Sequence, residues 1–107
     1  ATGGFGPWLV TPDEVPLDRP LRLICRLNGT EMQNATTDMM MFPVADLIAH
    51  ISTFVTLEPG DVIVTGTPGG VGFRRDPKVL MQHGDIVEIE LEGVGILRNP
   101  VVKEAAE

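Results

Sequence analysis

Leu21-Arg22-Leu23-Ile24-Cys25-Arg26-Leu27-Asn28-Gly29-Thr30-Glu31-Met32 is the stretch that decides how this chain folds. Leu21, Leu23, Cys25 and Leu27 alternate with Arg22 and Arg26, the two-residue period of a strand. Ile24 interrupts the alternation, so partial cover is expected on both faces. Asn28-Gly29 follows at once and is the strongest short hairpin signal. Residues 30–37 then read as the returning strand. Further along, His83-Gly84-Asp85 turns into a strand over 86–92. Val87, Ile89 and Leu91 share one face of it, and Glu88, Glu90 and Glu92 the other. Gly93 and Gly95 mark a turn or bulge. A last strand is expected over 96–102, and its Pro100 requires an edge or a bulge.

Between the two strand regions lies one helical pattern. Pro43 opens it, and Val44, Leu47, Ile48, Ile51, Phe54 and Val55 recur on one face, predicting a helix over about 43–57. Proline suits a first helical turn, and Asp46 complements the helix dipole there. Val62-Ile63-Val64 reads as a short strand buried on both sides. A glycine-rich loop, 65–72, and an irregular loop, 73–83, follow it. Residues 1–20 are broken by Gly3, Gly4, Gly6, Pro7, Pro12, Pro16 and Pro20, with Trp8, Leu9 and Val10 as an apolar anchor. One helix among about five strands gives an α+β fold that is mostly β.

The chain has 107 residues, which reads as a single domain, 1–107. Its 43% hydrophobic and 21% charged residues are a globular composition. Twelve glycines and nine prolines disfavour a helical bundle. A net charge of −7 leaves no basic stripe to meet phosphates, so no nucleic-acid partner is expected. Cys25 is the single cysteine, which excludes an internal disulfide and a multi-cysteine zinc site. No apolar run approaches a membrane span, and no secretory leader pattern opens the chain, so a cytoplasmic location is expected with no membrane partner. The sequons at Asn28 and Asn34 then read as chance matches.

Few residues carry chemistry on local pattern alone. The loop Thr65-Gly66-Thr67-Pro68-Gly69-Gly70-Val71-Gly72 follows an apolar strand. Open backbone N–H groups in such a loop can hold an anionic oxygen, and Thr65 and Thr67 can add hydroxyl bonds. It lacks the Gly-Lys-Ser/Thr ending of a phosphate-binding P-loop and the spacing of a dinucleotide fingerprint. A tight connection that needs positive φ at several glycines explains it equally well. Glu88 and Glu90 can share a hard cation or form a solvated sheet face. His50 and His83 have no evident partner, and Cys25 reads as a small buried hydrophobe. Met39, Met40 and Met41 read as core or as a subunit contact. Phe73, Arg74 and Arg75 can either reach an anionic substrate or face solvent.

Several strings occur here in a familiar order: Gly6-Pro7-Trp8-Leu9-Val10-Thr11, Asn28-Gly29, Thr36-Thr37-Asp38-Met39, Leu57-Glu58-Pro59-Gly60-Asp61 running into Val62 to Gly72, Gly84 to Glu90, and Leu97-Arg98-Asn99-Pro100. Together they resemble the C-terminal portion of the fumarylacetoacetate hydrolase family over roughly residues 4–102. The nearest likeness is to its bacterial 2-hydroxyhepta-2,4-diene-dioate isomerase, acylpyruvate hydrolase and oxaloacetate decarboxylase branch. The resemblance implies a partial mixed β-roll, a homodimer and a role in the breakdown of aromatic compounds. It also implies Mg²⁺ or Mn²⁺ that chelates a 2-oxo acid or β-dicarbonyl acid and stabilises its enolate.

In that family the metal ligands are a Glu-x-Glu pair and a later Asp, and they precede the matched stretch, as does the catalytic Lys. The resemblance therefore places no catalytic and no metal-ligating residue within 1–107, and Glu88-Ile89-Glu90 matches a late strand instead. Thr67 matches the threonine that contacts the substrate carboxylate, and Gly66 would present backbone to the same group. The expected function is part of a divalent-metal-dependent enzyme acting by C–C hydrolysis, decarboxylation or isomerisation. The alternatives are a non-catalytic binding or assembly module, or one half of a split enzyme whose partner chain carries the N-terminal half. The start at Ala1, without Met, fits a fragment.

Overall fold

A computed structural model describes residues 3–15 and 18–104; Ala1 and Pro16 lie outside the described residues. Four strands form one sheet: β1 (Arg22–Leu27), β2 (Thr30–Thr36), β3 (Ile86–Leu91) and β4 (Gly95–Pro100). Their order is β2-β1-β3-β4, and every pairing is antiparallel. The expected mostly-β architecture with one helix is what the chain adopts.

The hairpin forms where Asn28-Gly29 predicts it. Both residues take positive φ, 51° and 79°, the type I′ geometry that matches strand twist. Asn28 also ties the turn to β3. Its backbone N–H donates to the Ile86 carbonyl at 2.9 Å, and its Nδ2 donates to Asp85 Oδ1 at 2.9 Å. Its Oδ1 accepts from the Ile86 N–H at 2.8 Å. One residue thus sets the hairpin and the register of a strand 58 positions later.

The β1–β3 register pairs Leu23 with Leu91, Cys25 with Ile89 and Leu27 with Val87, so one face is apolar. The other face pairs Ile24 with Glu90 and Arg26 with Glu88. Each glutamate of β3 and its extension has an arginine: Glu90 with Arg26 at 2.7 Å, Glu88 with Arg98 at 3.2 Å and Glu92 with Arg19 at 2.7 Å. Pro100 closes β4 at the sheet edge, as a residue without a backbone donor must.

The helix α1 spans Val44–Ile51, shorter than the 43–57 the periodicity predicts. Pro43 caps it, accepting from the N–H groups of Asp46 and Leu47. At the other end the Thr53 hydroxyl donates to the His50 carbonyl at 2.7 Å, and Ser52 to Phe54 close as turns. A hydroxyl that takes a last-turn carbonyl competes with continuation of the helix.

Val62-Ile63-Val64 departs from expectation. It forms no strand, and Val62 and Val64 are exposed at 61% and 89%. A strand needs a neighbouring ladder, and none of the four described strands pairs with this segment. Among the described residues only Val15 and Leu21 are buried. The radius of gyration is 15.9 Å, against ~13 Å for a compact domain of this length. The exposed surface is 8738 Å², half again the ~5,800 Å² of a folded monomer of this mass. The sheet is well formed, but its apolar surroundings are open.

The Asn28 amide, and after it the Gln82 N–H, hold the Asp85 carboxyl below its ordinary value of 3.8. A carboxyl lowered by folding stabilises the fold above its unfolded pKa, and that contribution is lost as pH falls through the folded value. In a carboxyl NMR titration Asp85 should titrate below 3.8, and Asn28→Ala should return it toward that value. A titration of Asp85 that Asn28→Ala does not move would refute the tie.

Candidate functional site

The candidate site lies along the outer edge of β2. That edge carries an irregularity: Cys25 pairs with Gln33 and Arg26 with Glu31, so Met32 is left out of the register. A bulge leaves its extra residue unpaired. The Met32 carbonyl is taken by the Arg75 guanidinium, whose Nη2 donates to it. Arg75 Nε donates at the same time to the Gly70 carbonyl at 3.0 Å. Gly70 itself, at φ 102°, lies so close that a Cβ there would run into the Met32 carbonyl. Arg75 is thus a clasp that fastens the glycine-rich loop to the sheet edge. Neither sequence reading of Arg75, a substrate contact or a solvent-facing side chain, anticipates this bond. Lys78 Nζ stands 4.1 Å over the Phe73 ring, so Phe73 is engaged locally as well.

Gln33 makes the second fastening. Its Nε2 donates to Thr67 Oγ1 at 2.8 Å and to the Pro68 carbonyl at 2.6 Å. Gln33 lies opposite Cys25, on the apolar face of the sheet, and is half-buried. Thr65, Gly66 and Thr67 are exposed on the loop it holds. They line a cavity of about 400 Å³, with Met40 and Leu47 on its apolar side. Met39 and Met41 also face this space but are 71% and 88% exposed, so they are not core within this chain. The cavity combines hydroxyl and backbone donors with an apolar wall, the composition of a small-ligand site.

Other candidates lie elsewhere. Glu88 and Glu90 project from the sheet face opposite to Gln33, and each has its arginine. Among the described residues no group of three His, Cys, Asp or Glu side chains can hold a metal ion. The residues present therefore do not fit the divalent cation that the family resemblance implies. The Arg19 and Arg22 contacts hold the Glu92 carboxyl below its usual range, which favours an ion pair over a ligand awaiting a cation. His83 Nδ1 accepts from the Lys103 N–H at 3.1 Å, and His50 meets Phe54 edge-on at 5.7 Å; neither lines the cavity. Burial raises the Cys25 thiol, so it stays protonated, as its apolar setting predicts.

Comparison with known proteins agrees with this architecture. The sequence matches the fumarylacetoacetate (FAA) hydrolase C-terminal family over residues 1–102. The chain belongs to the fumarylacetoacetate hydrolase family. It is 50% identical over 98 residues to human mitochondrial oxaloacetate tautomerase FAHD2B, covering 92% of this chain and 31% of that protein. The fumarylacetoacetate hydrolase of psychrophilic Exiguobacterium antarcticum superposes with a TM-score of 0.87 at 39% identity, covering 94% of this chain and 36% of that one. A maleylpyruvate hydrolase from Sphingobium sp. SYK-6, solved with manganese(II) and pyruvate, gives 0.78 at 36% identity, covering 91% and 34%. The chain thus spans about a third of the length of the relatives it matches.

Sequence reasoning selected Thr67 and Gly66 and missed Gln33 and the clasp role of Arg75. No local signal pointed to Gln33: the regular register from the Asn28-Gly29 turn sets Met32 opposite Cys25, and only the bulge brings Gln33 onto that face.

A titration of the 107-residue chain alone with Mn²⁺, followed by free-ion signal, should detect no binding below millimolar. Tight stoichiometric uptake would mean that Glu88 and Glu90 leave their arginines for a cation.

Proposed function

We propose that this chain forms one wall of the substrate site of an enzyme acting on 2-oxo acids or β-dicarbonyl acids, by C–C hydrolysis, decarboxylation or isomerisation. The observation that carries the reading is the exposed Thr65-Gly66-Thr67 segment, braced from behind by Gln33 and Arg75 and open to the cavity. Its family relatives support the chemistry. Oxaloacetate, maleylpyruvate and pyruvate appear in their names, and all three are 2-oxo acids.

The part played by these residues is binding and orientation. The Thr67 hydroxyl and the backbone beside Gly66 would hold the carboxylate end of the acid, while Met40 and Leu47 exclude water on the other side. Donors fixed before the ligand arrives need no reorganisation, which is why a braced loop serves better than a loose one. The divalent cation of this reading, Mg²⁺ or Mn²⁺, would be held by residues outside 1–107. In the full protein that carries this chain, Thr67→Val should raise the Kd for pyruvate about tenfold and leave the Kd for Mn²⁺ unchanged, measured by calorimetry. A changed Mn²⁺ affinity with unchanged pyruvate affinity would refute the assignment.

The open apolar surface supports a homodimer, or a partner chain bearing the N-terminal half, as the working form. The exposed Val62, Val64, Met41 and Phe54 are the side chains such a contact would cover. Alone in solution, the 107-residue chain should self-associate in a sedimentation experiment. A stable monomer across a wide concentration range would count against this.

A further inference from the structure

The contacts of Gln33 determine which way the Thr67 hydroxyl can point. The Pro68 carbonyl can only accept a hydrogen bond, so the end of the Gln33 amide that faces it must be the NH₂. That same nitrogen stands 2.8 Å from Thr67 Oγ1. An amide nitrogen offers no acceptor, so Thr67 Oγ1 must accept and Gln33 must donate. Both amide hydrogens are then used, one on Pro68 and one on Thr67. The single hydrogen of the Thr67 hydroxyl is left for another acceptor, and none takes it among the described residues.

We infer that Gln33 is a positioning residue that fixes the polarity of the Thr67 hydroxyl, keeping its proton directed at an anionic ligand oxygen. A free hydroxyl rotates, and it can turn its proton toward any nearby carbonyl. Here the amide occupies a lone pair of the oxygen, so the proton cannot turn toward Gln33. The arrangement reserves the hydroxyl proton for a ligand that accepts, such as a carboxylate. Gln33 holds the loop through Pro68 as well, so bracing and polarity reside in one side chain but in two separable bonds.

This inference rests on the proposed role of Thr67 as a carboxylate contact, and a double-mutant cycle separates the two. The full protein carrying this chain is titrated with pyruvate at saturating Mn²⁺, using Gln33→Met, Thr67→Val and the double variant. Gln33→Met should weaken pyruvate about tenfold when Thr67 is intact and have little effect in the Thr67→Val background, with Mn²⁺ affinity unchanged throughout. Equal losses in both backgrounds would mean that Gln33 only braces the loop, since its bond to Pro68 survives Thr67→Val, and would overturn the inference. No loss from Gln33→Met alongside a loss from Thr67→Val would also overturn it, while leaving the proposed function standing. No effect of Thr67→Val, or no pyruvate bound by the unsubstituted protein, would overturn both. If Gln33→Met lowers the melting temperature, Gln33→Glu carries the same test. A carboxylate of similar size can only accept, so it should draw the Thr67 proton to itself. Its charge and its lost Pro68 bond act in both backgrounds, so only the extra loss of pyruvate affinity with Thr67 intact supports the inference, and equal losses overturn it.

Discussion

The unpaired outer edge of β2 is the constraint on which the site depends. An edge strand exposes backbone groups that must find partners, and the bulge at Met32 adds a carbonyl the ladder cannot use. Here the partners come from one loop 34 to 43 residues further along the chain. Arg75 takes the Met32 carbonyl, the bare backbone of Gly70 lies against it, and Gln33 beside it takes Thr67 and Pro68. The bonds that satisfy a sheet edge also hold a candidate binding loop in one conformation. Charge-assisted bonds from Arg75 suit this task, because one planar guanidinium reaches two carbonyls at once.

Away from that edge the two faces of the sheet have different roles. The glutamates of β3 pair with arginines on β1 and β4, and Glu92 just after it pairs with Arg19 in the segment before β1. Exposed pairs of this kind add little stability each, but they specify register, since a one-residue slip would set them against apolar neighbours. They also remove Glu88 and Glu90 from consideration as free ligands. The opposite, apolar face is half-covered, and the helix contributes no buried side chain. A fold whose four strands are well paired while its apolar segments stand open is consistent with a chain that spans about a third of its relatives.

Much of the architecture was legible in the residues. Asn28-Gly29 predicts the hairpin because few residue pairs accept two positive φ angles in succession. The alternation in β1 and β3 predicts which side chains share a face, and Pro100 predicts an edge. These signals are local, and the chain obeys them. The helix end and the Val62–Val64 segment are different. Apolar periodicity continues to Val55, yet a hydroxyl bond from Thr53 helps to close the helix near His50. An apolar triplet reads as a buried strand, but burial and pairing need neighbours that local sequence does not supply.

The sequence by itself determined the four strands of the described sheet, the turn between β1 and β2, the start of α1 and, through its ordered motifs, the family. It also pointed to Thr67 and Gly66 as the residues worth placing. Only the tertiary structure decided that Gln33 meets Thr67, that Arg75 is a clasp and not a free cation, and that Glu88 and Glu90 are occupied. The physical reason is the range of the interactions. Strand period, turn φ and helix caps depend on residues a few positions apart. A hydrogen bond between residues 33 and 67 follows from where a bulge leaves an edge and where a distant loop crosses it, and no periodicity encodes that.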